Sequence, residues 1–351
     1  MKNKINKLLS TGLFILLLML LVQVAIGGIT RLTGSGLSIT RWDIVTGTLP
    51  PLSGDAWQAA FDAYKQSPQY KLLNHGMSLR DFKFIYFWEW LHRLWGRLGF
   101  LWLMGMFFYF IFSYKLPPKY KKNFIWLILL YLSQGLLGWI MVKSGLVDKP
   151  YVSHYRLTAH LLLALLLIAY VIWFMVQVRI TPEQKLYRPD LRNKAWWITA
   201  LLVVQIIYGG FMAGLKAAGW YATWPLMNGQ WLPDNMFDGN LPWWENFSEN
   251  RATIQFMHRN IAFVLSLLLL WYIRKIWQLK PNPYFAFASR LLLVLLIAQV
   301  TLGISTILQS SGDYVPLLWG SLHQLCGLAL LSCMLFLNFQ YNKQLLIAPK
   351  N

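Results

Sequence analysis

The chain has 351 residues, of which 57% are apolar and only 13% charged, and it carries a formal net charge of +19. The apolar residues gather in blocks of about 20, the length that crosses a bilayer's hydrocarbon, which excludes an ordinary water-soluble enzyme. The positive excess requires no nucleic acid partner, because much of it lies in short connections between blocks, where anionic lipid headgroups meet it.

Eight blocks follow in chain order, with approximate limits 9–28, 88–113, 123–142, 157–178, 195–214, 254–273, 288–308 and 318–338. The first has Lys2, Lys4 and Lys7 ahead of it, as a secretory signal would. It continues into Gly27-Gly-Ile-Thr-Arg31 with no small-x-small cleavage pattern, so it is read as a span. Basic residues mark one side of the membrane. They occupy the amino terminus and the connections 114–122 (Lys115, Lys119, Lys121, Lys122), 179–194 (Arg179, Lys185, Arg188, Arg192, Lys194) and 274–290 (Arg274, Lys275, Lys280, Arg290). Both termini are therefore expected in the cytoplasm. The short basic amino terminus, with no Arg- and Ser-rich transit segment, favours a bacterial inner membrane over a mitochondrial one. The opposite connections, 29–87 and 215–253, are long, polar and rich in Trp, Pro and Gly, and are expected to cap the outer ends.

The two halves repeat. Gln23-Val-Ala-Ile-Gly27-Gly28 is echoed by Gln205-Ile-Ile-Tyr-Gly209-Gly210, and Gln134-Gly-Leu-Leu-Gly138 by Gln299-Val-Thr-Leu-Gly303. His92 maps to His258 at an offset of 166, Gln134 to Gln299 at 165, and His160 to His323 at 163. Near-constant offsets over separate spans predict an all-α polytopic membrane protein of two pseudo-symmetric four-helix bundles. The expected division is 1–178, an inner linker 179–194, and 195–351.

All four repeated histidines are expected at a similar depth near the outer face, so each half can aim two imidazoles at one cavity. Imidazoles from two facing helices can hold a haem iron inside a bundle. The alternative is four intramembrane histidines that only hydrogen-bond between helices. Zinc fits less well, since no Cys, Asp or Glu stands beside both histidines of a pair.

One difference separates the halves. Three residues before His92 stands Glu89, whereas three before His258 stands Gln255; that spacing shares a helix face. A carboxylate beside only one cofactor suggests that the amino-terminal half is reactive, with Glu89 accepting protons or stabilising developing positive charge. The alternative is a Glu89 that snorkels to the interface and pairs with Arg93 or Lys83. Arg31, Arg93 and Arg259 are candidate partners for haem propionates, or else for lipid headgroups. His75 and His154 lack counterparts in the repeat and read as surface histidines. Gln23, Gln134, Gln205 and Gln299 are expected to bond between helices, and Gly27, Gly28, Gly209 and Gly210 to allow close approach or a turn.

The stretches Gly27-Gly-Ile-Thr-Arg-Leu-Thr-Gly-Ser-Gly-Leu-Ser38, Thr46-Gly-Thr-Leu-Pro-Pro51, Leu72-Leu-Asn-His-Gly-Met77, Glu89-Trp-Leu-His-Arg93 and Thr223-Trp-Pro-Leu-Met-Asn228 together resemble the haem A synthase family. The resemblance implies oxidation of the C8 methyl group of haem O to a formyl group by successive hydroxylations, giving haem A for terminal oxidases. It implies that His92 and His160 position the substrate haem O, that Glu89 assists its oxidation, and that His258 and His323 ligate a haem b cofactor. It leaves open haem O synthase and an electron acceptor as partners, and a homo-oligomer. Some bacterial members carry a cysteine pair in an outer loop. Here the two cysteines are Cys326 and Cys333, seven residues apart in one span and too distant for a mutual disulfide, which places the chain with the subgroup of mitochondria and many Gram-negative bacteria. Two other classes fit the residues alone: a two-haem electron-transfer cytochrome, and a haem carrier or assembly factor.

Overall fold

The computed structural model describes residues 2–41, 46–114, 116–145, 151–279 and 281–341. Lys115 and Lys280 of the basic connections and residues 342–351 lie outside them. The helices, in chain order, are α1 (Lys2–Leu32), α2 (Gly54–Lys65), α3 (Pro68–Leu72), α4 (Leu79–Ser113), α5 (Pro118–Gly145), α6 (His154–Arg179), α7 (Pro189–Leu215), α8 (Asn246–Glu249), α9 (Arg251–Trp277), α10 (Pro283–Leu308) and α11 (Leu317–Phe339). Among the described residues eight of these are long and apolar enough to cross a membrane: α1, α4, α5, α6, α7, α9, α10 and α11. Large apolar side chains such as Leu101, Phe112, Phe263, Val294 and Ile297 stand outward on them, as expected of a surface that lipid covers. The chain is a multi-pass helical membrane protein.

Helix starts are set by capping. Ser53, Ser67, Ser78, Asn250 and Asn282 each accept a first-turn backbone N–H in their side-chain oxygen, and Pro68 and Pro283 occupy first-turn positions where no N–H is needed. The cap at Ser78 corrects one expected boundary. The first outer connection spans 33–78 instead of 29–87, because α1 runs on to Leu32 and α4 starts at Leu79. The polar turn Leu-Arg-Asp-Phe-Lys carries no hydropathy signal. It is nonetheless fixed as helix by Ser78 Oγ, which accepts from the Asp81 N–H and donates to its carboxylate at 2.6 Å. With 35 residues α4 is about 50 Å long, more than the hydrocarbon needs, so its first turns can stand clear of the lipid.

The chain forms two compact units, one of residues 18–167 with 213–215, the other of residues 1–17, 168–212 and 216–351. In the first, α1 and α4 run antiparallel, with Trp95 donating to the Met19 carbonyl and Thr30 to that of Trp88. Tyr131 of α5 donates to the Gly96 carbonyl of α4. An aromatic cluster ties the first outer connection to α4: Phe82 is fully buried and stacks on Phe61 and Tyr64, at 4.9 and 5.2 Å between centroids. The Tyr64 hydroxyl, pushed above its ordinary pKa by burial, donates to Gln69, whose amide donates to the Gly34 carbonyl.

In the second unit α10 and α11 are antiparallel, with Cys333 Sγ on the Ala288 carbonyl and Cys326 Sγ on that of Leu295. Both cysteines are free thiols; Cys333 is buried and Cys326 half-buried. Asn338 of α11 donates to the Thr199 hydroxyl of α7 at 2.7 Å. The second outer connection, 216–250, folds on a buried Asn246, which accepts from the Asp238 N–H and the Asn250 amide.

Candidate functional site

Each of the four repeated histidines meets a glutamine on the helix packed beside it. Gln23 Nε2 lies 3.2 Å from His92 Nδ1 and 3.3 Å from its Nε2, and Gln205 Nε2 lies 3.1 and 3.3 Å from the same atoms of His258. Gln134 Nε2 is 3.2 Å from His160 Nε2, and Gln299 Nε2 is 3.4 Å from His323 Nε2. One turn further along each glutamine-bearing helix stands a glycine, Gly27, Gly138, Gly209 or Gly303, facing the Cε1 edge of the ring. At Gly303 a methyl group would sit 2.8 Å from His323 Cε1, closer than carbon atoms approach, so the ring's seat exists because the residue is glycine. Gly27 and Gly209 thus serve close approach; neither marks a turn, since α1 and α7 continue past them.

The pattern Gln-x-x-x-Gly occurs at all four places, a signal present in the sequence. The four histidines are half-buried. In the second unit the His258 and His323 ring centroids are 6.3 Å apart. Two imidazoles bound at about 2 Å to one metal have ring centres about 6 Å apart, so this pair fits a single iron between them. In the first unit His92 and His160 lie within electrostatic reach of each other. Among the described residues no three His, Cys, Asp or Glu side chains group together.

Glu89 is 2% exposed and does not snorkel. Its Oε2 accepts from the Ser38 hydroxyl at 2.7 Å and the Ile39 N–H at 2.9 Å, and its Oε1 from Arg93 at 2.5 Å. The pairing with Arg93 is present, inside the protein. Arg93 also donates to the carbonyls of Ile39 and Arg41. The carboxylate is therefore a fixed acceptor that joins the first outer connection to α4, one turn from His92. Ser38 was not singled out from the sequence; no periodicity links residues 51 apart.

The second unit has the opposite polarity at the matching position. Gln255, fully buried, donates to the carbonyls of Tyr221 and Ala218, and Arg259 donates to those of Tyr221 and Leu226. Where Glu89 receives hydrogen bonds from its loop, Gln255 gives them. Arg31, the third candidate propionate partner, donates to the Gly214 carbonyl at 2.8 Å. All three arginines thus hold backbone carbonyls. His75 is exposed as expected. His154 is a correction: it is buried at the start of α6, where a Cβ on Gly214 would fall 2.2 Å from its own.

These features define a class, a polytopic helical membrane protein with four half-buried histidines in equivalent seats and a buried carboxylate one turn from one of them. Residues 10–335 match the family of cytochrome oxidase assembly proteins (COX15-CtaA). A protein of Nitrosospira multiformis named Heme A synthase is 39% identical over 347 residues, covering 98% of this chain and 96% of its own. Those of Flavobacterium johnsoniae and Parvibaculum lavamentivorans, of the same name, are 41% identical over 322 residues (91% and 93%) and 43% over 303 residues (86% and 85%). The chain belongs to this family.

Proposed function

We propose that the protein is a haem A synthase of the bacterial inner membrane, oxidising the C8 methyl group of haem O to a formyl group. The observation that carries this reading is the pair of imidazoles in each unit seated by the same Gln-x-x-x-Gly device, with an ionisable side chain beside one pair and an amide beside the other. The full-length similarity to proteins named Heme A synthase supports it.

In this reading His92 and His160 hold the iron of the substrate haem O and fix its plane. His258 and His323 hold haem b, whose reversible one-electron chemistry is what that cofactor supplies when bound. Conversion of CH3 to CHO exchanges two hydrogens for one oxygen and releases four electrons in all, so an electron acceptor takes part. Glu89 serves as the acidic group on the substrate side. Its orientation is set by Ser38, the Ile39 N–H and Arg93 before substrate arrives, so none of that ordering has to occur during the reaction. An anion fixed there favours developing positive charge on the group being oxidised and can accept a hydrogen bond from a hydroxylated methyl. Gln255 offers no such charge, consistent with a haem b that is held and not altered.

The test is turnover of added haem O by substoichiometric purified protein with an artificial electron acceptor. Many equivalents of oxidised haem per protein are expected. Binding without turnover would instead assign the chain to the carriers or cytochromes.

A further inference from the structure

Two tryptophans on the histidine-bearing stretch of α4 have settled indoles: Trp90 donates to the Thr48 carbonyl and Trp95 to that of Met19, both at 2.9 Å. Trp88 differs. Its Nε1 is sealed from solvent and, among the described residues, meets no acceptor. An indole nitrogen can only donate, and a buried donor without an acceptor is costly, so this place calls for an acceptor that protein atoms do not supply. Trp88 stands four residues before His92, on the same face of α4 and about 6 Å nearer the first outer connection. Glu89, three residues before His92, flanks that face on its other side. Helix α1 packs along this stretch, Thr30 donating to the Trp88 carbonyl and Gly27 facing the His92 ring. In the second unit the matching residue is Ile254, fully buried and without a donor.

We propose that the Trp88 indole N–H binds a propionate of the substrate haem and so selects which edge of the ring lies against Glu89. This rests on the haem O reading above. Ligation of the iron by two imidazoles leaves the ring free to turn about the axis between them, so ligation alone does not choose one methyl group. In haem O the C8 methyl neighbours a ring carbon that carries a propionate. A donor on one side of His92 and a carboxylate on the other therefore suit those adjacent substituents, the propionate at Trp88 and the methyl at Glu89. A neutral donor fits the place, because Glu89 is already joined to Arg93 and the indole attracts the propionate without adding charge beside that pair. A haem b that is held and not altered needs no such choice, in keeping with Ile254.

The experiment uses the full-length purified protein with its haem b and an artificial electron acceptor. It is given haem O or haem O dimethyl ester, in which both propionates have lost their charge. Trp88→Phe keeps an aromatic ring and removes the donor. For haem O it should raise KM roughly 10- to 100-fold with a smaller fall in kcat, and release some product oxidised at methyl groups other than C8. For the dimethyl ester, parent and variant should share one KM, because the charged acceptor is gone. The haem b spectrum should stay unchanged. A parental KM for haem O would overturn the proposal, and so would an equal loss with both substrates, which marks a structural role. If Trp88→Phe fails to fold, Trp88→Ile, with the side chain of the second unit, is read in the same way. An unaltered protein that oxidises neither substrate removes the haem O reading and this proposal with it, whereas normal turnover by the parent and an indifferent Trp88→Phe removes the proposal alone.

Discussion

Glu89 is held from three directions, and each contact makes a separable prediction. Glu89→Gln keeps the volume but removes the charge, so product formation should fall by about 100-fold or more while haem b stays bound, as measured by turnover and absorbance on one preparation. Full activity in that variant would remove Glu89 from the chemistry. Ser38→Ala deletes one charge-assisted hydrogen bond and should cost about 1.5–3 kcal/mol of stability together with part of the turnover. Seats for the rings make a second residue-scale test. Gly303→Ala forces a methyl against His323 and should cost about 1–3 kcal/mol with reduced haem b occupancy. Gly105→Ala, where nothing lies within 4 Å of the new carbon, should leave occupancy unchanged and be neutral or slightly stabilising in a thermal melt. What the sequence made legible at this scale were the histidines and the Glu89/Gln255 difference, because residue type and helical spacing are both written in it. What it hid were Ser38 and the carbonyl partners of the arginines, since those contacts depend on how a loop closes over tens of residues.

At the scale of elements, apolar length and basic connections located all eight spans, because crossing hydrocarbon is a demand on composition alone. The ends were less legible. The first turns of α4 are polar, and a cap, not hydropathy, makes them helix. That extension matters for function: it carries Phe82 and Ile85 into the aromatic cluster under the first outer connection, and the same connection delivers Ser38 and Ile39 to Glu89. Phe82→Ala should therefore cost about 3–5 kcal/mol and also loosen the carboxylate. The expected signature is faster proteolysis within residues 33–78 and lower turnover, with the haem b spectrum unaffected. Cleavage at the parental rate would show that the cluster does not anchor the loop.

Over the whole molecule, one device is used four times, a glutamine and a glycine one turn apart on one helix receiving a histidine from its neighbour. The loop contact at the position three residues before His92 and His258 changes polarity between the two units, from Glu89 receiving hydrogen bonds to Gln255 giving them. In the proposed reading, common seats with unequal neighbours would hold two haems of which one is altered. His258→Ala should abolish the haem b spectrum, and His92→Ala should leave it intact while stopping conversion of haem O. The same spectral loss in both variants would contradict a division of labour. The most direct measurement is mass spectrometry of the haems extracted from the protein after production in cells that make haem O but not haem A. Haem A or its hydroxylated precursor beside haem b is the expected result; haem b with unaltered haem O alone would contradict the account.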